Sequence, residues 1–219
     1  MQFAVEELAE LLLTGNHGAV MDWMDRHRES GASRLFLYDR LLTPAMRHIG
    51  ELWENNMISV ADEHLASGVC DWVLERVGPL PGERRRFRAM LLCAEGEQHD
   101  LGLKMCAGVF REHDWDTRYY GPNLPLEYAM AGALSYKPDV VAISLTIQHQ
   151  IVQLRAYVEA FLQLIPKPAV LVGGRLLLGG LDLRPHVPEA TVLLGDLFEL
   201  SDWLDRFRNS ASEELQQLG

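Results

Sequence analysis

The residues best suited to chemistry form a short run, Glu97-Gln98-His99-Asp100-Leu101-Gly102, which has the pattern acid-x-His-x-x-Gly. Histidine is the commonest metal ligand in proteins, and a carboxylate two residues earlier can accept the other ring N–H and fix the tautomer. A glycine three residues later lets the backbone approach a bulky ligand. Taken alone, the run is better explained as an ordinary surface loop with a solvated histidine and glutamate, so its setting decides between the two interpretations.

The setting places this run at the carboxyl end of a predicted strand. Residues 88–94 are almost all apolar and predict a buried strand, and a helical pattern follows from residue 101. Two later segments also predict strands that end in small or polar residues: Ser144 and Thr146 close the first, and Gly173 and Gly174 close the second. Since ligands bind outside the carboxyl ends of strands in open α/β sheets, these residues form one candidate binding edge.

The second half of the chain alternates between strand and helix patterns. The candidate strands are 88–94, 116–120, 139–146, 169–174 and 191–195, and the candidate helices are 101–113, 125–136, 149–165 and 197–208. Such alternation predicts an α/β fold with a parallel sheet covered on both faces. We expect a flavodoxin-like (Rossmann-like) five-stranded sheet in the order 2-1-3-4-5, with His99 and Ser144 flanking the switch point between the first and third strands.

The first half predicts only helices. Val5, Leu8, Leu11 and Leu12 recur at helical spacing, and further helices fit residues 19–29, 33–54 and 59–77. Pro44 should start or kink a helix, and Ser59 is a good N-cap with Asp62 at the third helical position. The expected organisation is a helical-bundle cap at 1–78, a linker at 79–87, a ligand-binding domain at 88–208 and a frayed polar tail at 209–219.

Composition argues against several classes of function. The 219-residue chain has a net charge of −11, which argues against direct nucleic-acid binding because phosphates require clustered Lys and Arg. It contains no apolar run of membrane-spanning length and begins without a basic signal-peptide region, so neither membrane insertion nor secretion is expected. Cys93 and Cys106 lie in apolar segments and are interpreted as buried thiols, as expected in a reducing cytoplasm.

A second constellation lies in the helical half. Trp53 precedes Glu63 and His64 by the spacing Trp-x9-Glu-His, across the end of one predicted helix and the start of the next. Without further context, Trp53 could be a core anchor and the other two residues a solvated first helical turn. That ordinary interpretation is favoured until the downstream motif is considered, although a helix-turn-helix hairpin could bring all three side chains to one surface.

With both constellations in view, residues 5–207 resemble the cobalamin-binding domain family, and Trp-x9-Glu-His resembles the CarH-type adenosylcobalamin photoreceptors. The resemblance implies that His99 is the lower axial ligand of cobalt, with Glu97 holding its tautomer. It implies further that Ser144 bonds the displaced base, beside Thr146. The backbone at Gly102, Gly173 and Gly174 would leave room for the corrinoid and its nucleotide tail, and residues 120–125 would form part of the corrin floor.

The same resemblance assigns the helical cap to the upper face of the corrin. Trp53 would cover the 5′-deoxyadenosyl group, Val60 would pack against it, Glu63 would bond its ribose hydroxyls and His64 would line the pocket. An indole offers a large flat apolar surface to a nucleoside, and a carboxylate is a strong acceptor for a diol. The expected cofactor is therefore adenosylcobalamin, sandwiched between cap and sheet domain.

Two departures from the resemblance alter the expected function. The chain begins at the cap, whereas CarH-type repressors carry a DNA-binding module before it, so direct operator binding is not expected. Family members often place after the tryptophan a histidine that can bind cobalt once light has expelled the adenosyl group, but here that residue is Glu54. His48 and His64 remain alternatives for that position.

The leading hypothesis is a light-responsive regulator without enzymatic turnover. It would bind adenosylcobalamin in the dark and signal Co–C photolysis through a partner protein, either a transcription factor or a signalling enzyme, or through a change of homo-oligomer. The main alternative is a corrinoid carrier subunit of a methyltransferase system, against which Trp-x9-Glu-His argues. Two others are a sensor that binds cobalamin or haem through His99 and a mutase subunit that would need a catalytic partner chain.

Overall fold

The structure, a computed structural model, describes residues 1–78 and 87–217. The chain divides into two compact units, Met1–Gly78 and Pro79–Gly219. Of the linker predicted at 79–87, all but Phe87 lies outside the described residues. Within the described parts of the chain, none of the helices combines the length and the apolar character needed to cross a bilayer.

The first unit is helical, as the sequence predicts. Its elements are α1 (Gln2–Leu13), α2 (His17–Glu29), α3 (Arg34–Phe36), a π-helical segment (Leu37–Leu42), α4 (Thr43–Glu54) and α5 (Val60–Val77). Leu8, Leu12, Trp23, Ile49 and Val73 are among the residues buried between the helices. The apolar spacing along α1 therefore marks its buried face, as expected for an amphipathic helix.

The start of α5 confirms a prediction from local sequence. The Ser59 side chain accepts the backbone N–H of Asp62 at 3.2 Å, and the Asp62 carboxylate accepts the Ser59 N–H at 2.9 Å. This reciprocal capping box satisfies two backbone donors that a helix start leaves without intrahelical partners. The box fixes the turn between α4 and α5, which carries Trp53 at one end and Glu63 at the other.

Pro44 is the second residue of α4, so it lies at a helix start as predicted, but the helical path before it is not broken. Instead the helical path from Arg34 to Glu54 contains the π-helical segment Leu37–Leu42 just before it, where the Thr43 N–H bonds the Tyr38 carbonyl five residues back. Proline has no N–H to donate, and its ring crowds the carbonyl four residues earlier. A wider turn at this point accommodates the proline while keeping the helix continuous.

The second unit contains the predicted parallel sheet. Its elements are β1 (Arg88–Ala94), α6 (Leu101–Glu112), β2 (Asp116–Leu124), α7 (Leu126–Tyr136), β3 (Val140–Ser144), a 3₁₀ turn (Gln148–Gln150), α8 (Ile151–Leu162), β4 (Ala169–Gly173), α9 (Arg175–Leu178), a 3₁₀ turn (Arg184–His186), β5 (Val192–Leu194) and α10 (Leu197–Gln217). The strand order β2-β1-β3-β4-β5 confirms the predicted flavodoxin-like topology. The switch point therefore lies between β1 and β3.

Helices cover both faces of the sheet. On one face, Met90 and Leu92 of β1 join a buried cluster with residues of α7 and α8, including Ala133 and Phe161. Helices α6 and α10 pack against each other and belong to the opposite face, to which Cys93 of β1 points because strand side chains alternate. Burial on both faces explains why β1 is apolar almost throughout.

Three element boundaries in the second unit differ from the predictions by three residues or more. Strand β2 runs to Leu124, past the Gly121-Pro122 pair expected to end it, because β2 is an edge strand and an edge tolerates proline. Helix α8 ends at Leu162, three residues early, since the residue before Pro166 disfavours helix. Helix α10 continues to Gln217 instead of ending at 208, as no glycine or proline interrupts that stretch.

Candidate functional site

The loop between β1 and α6 carries a histidine that is hydrogen-bonded to a buried carboxylate. His99 Nδ1 lies 2.7 Å from Glu97 Oε1, and the same oxygen accepts the His99 backbone N–H at 3.0 Å. The Glu97 side chain is fully buried, whereas the His99 side chain is 65% exposed. When Nδ1 donates its proton to Glu97, Nε2 carries the lone pair, which is the tautomer that coordinates a metal.

Thr146 donates two hydrogen bonds to the other carboxylate oxygen of Glu97. Its backbone N–H donates to Glu97 Oε2 at 2.8 Å, and its hydroxyl donates a short hydrogen bond to the same atom. Burial alone would raise the pKa of Glu97, but the hydrogen bonds from His99 and Thr146 outweigh it and lower the pKa to about 2. Glu97 therefore stays ionised at neutral pH and remains a strong acceptor for the imidazole N–H.

Because Thr146 follows β3 and Glu97 follows β1, this network bridges the switch point of the sheet. Ser144, the last residue of β3, pairs with Cys93 of β1 and with Gly173 of β4 and is nearly buried. Burial, together with the nearby Glu97 carboxylate, raises the pKa of the Cys93 thiol, so this cysteine stays neutral. The structure thus gathers Glu97, His99, Ser144 and Thr146 at one edge of the sheet.

The three glycines predicted at this edge have different structural demands. A Cβ on Gly174 would lie 2.2 Å from the Leu145 carbonyl oxygen, and the residue has a φ of +130°, so only glycine fits. A Cβ on Gly173 would approach the Leu194 carbonyl oxygen at 3.4 Å. A Cβ on Gly102 would meet no atom within 4 Å, so its surface stands open beside the His99 loop.

In the first unit, the predicted cap residues lie around the α4–α5 turn. Trp53 is 46% and Val60 52% exposed, so neither is a core anchor. His64 Nδ1 lies 2.7 Å from Glu63 Oε2, and Ser67 donates its hydroxyl to Glu63 Oε1 at 2.8 Å. This turn therefore presents apolar surface beside a carboxylate whose two oxygens are already oriented.

Several residues of the second unit's edge were not predicted from the sequence as site residues. Tyr119 donates its hydroxyl to Asp100 Oδ2 at 2.5 Å, directly after the histidine. Gln150 is buried under the Gly96 turn, and within the described residues neither of its side-chain polar atoms has a hydrogen-bond partner. Asn123 bonds the turn that precedes Glu97. The side chain of His149, another candidate for this edge, lies outside the described part of the chain.

Both units match family models of the same description. Residues 87–179 match a B12 binding domain, and residues 4–77 match a second B12 binding domain model. Together the matches span more than half of the chain. The chain belongs to the cobalamin-binding proteins. The Glu97–His99 network lies within the first of these two B12 binding domains, and the Trp53–Glu63 turn lies within the second.

Two repressors of Myxococcus xanthus are similar to the chain at low sequence identity. The chain is 25% identical over 169 residues to the HTH-type transcriptional repressor CarH of Myxococcus xanthus, covering 77% of this chain and 55% of that protein. It is 28% identical over 140 residues to the repressor CarA of the same organism, covering 62% and 46%. The cobalamin-binding chain thus spans about half the length of the curated relatives it matches.

The fold is similar to that of the monomethylamine corrinoid protein of Methanosarcina barkeri. The TM-score is 0.69 at 14% sequence identity, and the match covers 92% of this chain and 96% of that one. At this identity the likeness concerns the fold alone. It agrees with a helical unit followed by a five-stranded parallel sheet.

The side chains present at the sheet edge fit a corrinoid held through one axial imidazole. His99 is exposed and its ring is oriented by a buried, ionised carboxylate, as metal-binding histidines require. The open surface at Gly102 leaves space that a side chain would otherwise fill, whereas the backbone at Gly174 packs closely against the Leu145 backbone. Among the described residues, no group of three or more His, Cys, Asp or Glu side chains is placed to hold a metal ion.

The low pKa of Glu97 predicts an acid-dependent loss of stability. Its pKa falls from an ordinary value of 4.5 to about 2 on folding, so its contribution is complete above pH 4.5 and is lost as the pH falls towards 2. We expect Glu97→Gln to lower the free energy of unfolding at pH 7 by roughly 3 kcal/mol and to flatten its pH dependence in that window. Urea denaturation of the chain between pH 2 and 7 measures both quantities.

Glu95→Gln is the matched control, because Glu95 is exposed in the same turn. Its unfolding free energy should follow that of the unsubstituted chain across the pH range. If Glu97→Gln and Glu95→Gln gave the same pH profile, Glu97 would not be the buried, ionised group described above.

Proposed function

We propose that the chain is a light-responsive regulatory protein that binds adenosylcobalamin with His99 as the lower axial ligand. It would signal Co–C photolysis through a partner protein or a change of oligomer. The observation that carries the proposal is the Glu97–His99 pair, in which a buried carboxylate with a pKa of about 2 fixes an exposed imidazole. That pair lies within a matched B12 binding domain.

At the sheet edge, each residue has a distinct proposed role. His99 would hold the cobalt through its Nε2 lone pair, Glu97 would keep the proton on Nδ1, and Thr146 would keep Glu97 ionised. Ser144 offers a hydroxyl to the displaced base of the cofactor. Gly102, Gly173 and Gly174 provide backbone surface where a side chain would collide with the cofactor or with neighbouring strands.

Around the α4–α5 turn, the proposed ligand contact is the adenosyl group. Trp53 and Val60 expose apolar surface suited to a nucleoside, and Glu63 offers a carboxylate to the ribose diol. His64, held by Glu63, would line the same pocket. The Trp-x9-Glu-His spacing and the partial matches to the Myxococcus xanthus repressors CarH and CarA support a regulatory role over a catalytic one.

When bound, adenosylcobalamin supplies a cobalt–carbon bond that visible light breaks. The chain's part is to bind the adenosyl group more tightly in one conformation than in another, because a ligand shifts an equilibrium only by its differential affinity. Contacts of Trp53 and Glu63 with the adenosyl group would provide that difference. Their loss would leave uncovered apolar surface and a carboxylate without its ribose partner, and the cap would respond with a change in conformation, assembly or partner affinity.

Selectivity for the upper ligand tests the role of the cap. We expect Glu63→Ala to weaken adenosylcobalamin binding by roughly ten- to hundredfold, since a lost buried hydrogen bond costs ~1–3 kcal/mol. Methylcobalamin has no ribose at this position, so its affinity should be almost unchanged. Glu51→Ala, an exposed glutamate on α4, is the control. Equal losses for the two cobalamins would remove the case for an adenosyl pocket.

The light response itself is tested with absorption spectroscopy and size-exclusion chromatography with light scattering. We expect green light to change the spectrum of the adenosylcobalamin form together with its hydrodynamic size or partner affinity. The same illumination should leave the hydroxocobalamin form unchanged. An adenosylcobalamin form that survives illumination, or is cleaved with no change in conformation, assembly or binding, would overturn the photoreceptor proposal.

That negative result would favour the second candidate, a corrinoid carrier subunit of a methyltransferase system. The observation in its favour is Glu54, which stands where light-responsive family members often have a cobalt-binding histidine. A carrier must bind methylcobalamin at least as well as adenosylcobalamin and admit small methyl donors to its upper face. The two affinities in the unsubstituted chain therefore separate the candidates.

A further inference from the structure

The end of β2 departs from regular pairing beside the histidine loop. The register with β1 shifts twice, between Leu91 and Leu92 and again between Leu92 and Ala94, so that Ala94 pairs with Leu124. Each shift places an extra residue on β2. Bulges of this kind re-aim the residues that follow them and are common beside functional sites.

Asn123 lies within the second of these bulges, between Gly121 and Leu124, in a left-handed conformation with φ of +56°. Its side-chain oxygen accepts the Gly96 N–H at 2.7 Å, and its backbone N–H donates to the Glu97 carbonyl oxygen at 2.9 Å. Asparagine tolerates this backbone region better than most residues. One residue of β2 therefore bonds two successive residues of the β1–α6 loop, immediately before His99.

The side chain of Tyr157 also fixes the turn between Ala94 and Glu97. The Tyr157 hydroxyl of α8 accepts the Glu95 N–H at 3.1 Å and donates to the Leu124 carbonyl oxygen at 2.6 Å. The turn itself closes through the Glu97 N–H to the Ala94 carbonyl oxygen at 3.0 Å. The backbone of the loop up to Glu97 is thus fixed by hydrogen bonds to Asn123 and, through Tyr157, to Leu124 at the end of β2.

The position of His99 is in turn fixed by its hydrogen bonds to Glu97. One carboxylate oxygen of Glu97 accepts both the ring Nδ1–H and the backbone N–H of His99. A displacement of the Glu97 backbone therefore moves the imidazole with it. Functional groups must be held within about 0.5 Å of their productive geometry, so a small loss of order here matters for an axial ligand.

We propose that Asn123 is a positioning residue that sets the coordinating geometry of His99 by fixing the Gly96–Glu97 turn from β2. The proposal rests on the proposed function, in which His99 is the axial ligand of cobalt. Gly96 and Asn123 are both exposed, so water can replace the lost amide oxygen and the fold keeps its stability. What Asn123 contributes is the position of the loop.

The test uses the full chain with hydroxocobalamin and three variants. Asn123→Gly removes the amide while allowing the left-handed backbone, and Asn123→Asp keeps an oxygen that can accept the Gly96 N–H. Asp114→Gly is the control, since Asp114 is an exposed short polar residue with φ of +60° in the turn between α6 and β2, at the other end of β2 from Asn123. The measurements are cobalamin affinity, the fraction of bound cobalamin with a histidine-ligated spectrum, and the melting temperature of the ligand-free protein.

We expect Asn123→Gly to weaken cobalamin binding by roughly tenfold, the lower end of what outer partners of metal ligands contribute, and to lower the histidine-ligated fraction. Asn123→Asp should restore both values, and Asp114→Gly should leave them unchanged. The ligand-free melting temperatures of Asn123→Gly and Asp114→Gly should be similar.

The positioning role is wrong if Asn123→Gly retains the affinity and spectrum of the unsubstituted chain, or if Asn123→Asp fails to rescue them. It is also wrong if the affinity falls only in proportion to a fall in melting temperature. A histidine-ligated spectrum in the unsubstituted chain with no effect of Asn123→Gly overturns this inference alone. Absence of that spectrum in the unsubstituted chain overturns both this inference and His99 ligation.

Discussion

His99→Ala is expected to abolish cobalamin binding or to leave the bound cofactor coordinated by its own base. The substitution removes the axial ligand itself, so the loss of affinity should exceed the roughly 10–100-fold that loss of an outer partner typically causes. The imidazole is exposed, so little packing is lost, but the buried Glu97 carboxylate loses one hydrogen bond, and the unfolding free energy of the ligand-free protein should fall by about 1 kcal/mol. Absorption spectra of the bound form and equilibrium binding measure the two effects.

His186→Ala provides the control, because His186 is an exposed histidine in the 3₁₀ turn Arg184–His186. It should bind cobalamin with the spectrum and affinity of the unsubstituted chain. If His99→Ala behaved in the same way, His99 would not be the ligand, and the buried Glu97 network would need another explanation.

Gly174→Ala is expected to destabilise the second unit strongly. The new Cβ would lie 2.2 Å from the Leu145 carbonyl oxygen, against backbone that cannot swing aside, and alanine is strained at φ of +130°. Strain and overpacking together should cost roughly 3 kcal/mol or more in the free energy of unfolding. Urea denaturation measures the loss, and cobalamin binding should fail with it.

Gly102→Ala makes an informative comparison with Gly174→Ala. Gly102 lies within α6 and a Cβ there meets no atom within 4 Å, so alanine should raise the unfolding free energy by about 1 kcal/mol through helix propensity. Cobalamin binding should nevertheless weaken, because the methyl group would occupy surface assigned to the corrinoid. Unchanged binding in Gly102→Ala would remove this glycine from the site, and an undiminished stability in Gly174→Ala would contradict the described strand packing.

Local patterns predicted the architecture because the features that decide it are local. Burial of β1 on both faces requires a nearly continuous apolar run, and the run at 88–94 is visible in the sequence. The capping box of Ser59 and Asp62 depends on residues three apart, so it too could be recognised without a structure. Parallel topology then followed from the alternation of strands with helices.

The contacts that shape the candidate site could not be predicted in this way, because they join residues far apart in the chain. The ionised state of Glu97 depends on Thr146, which is brought to it by the pairing of β1 with β3. The hold of Asn123 on the Gly96 turn depends on two bulges in β2, and the sequence predicted only that the strand ends near residue 120. An asparagine after Gly-Pro was the available signal, since it favours a turn conformation.

The π-helical segment Leu37–Leu42 changes the direction in which the later side chains of the same helical path point. One additional residue in a helical turn rotates everything that follows by about 100° around the helix axis. Here that rotation comes before α4, so it determines the direction in which Trp53 points at the far end of the helix. The orientation of an aromatic side chain in the proposed adenosyl pocket is therefore set eleven or more residues upstream, in the segment Leu37–Leu42. A one-residue deletion there would keep Trp53, Val60, Glu63 and His64 in the sequence, but it would rotate the indole to another side of the bundle.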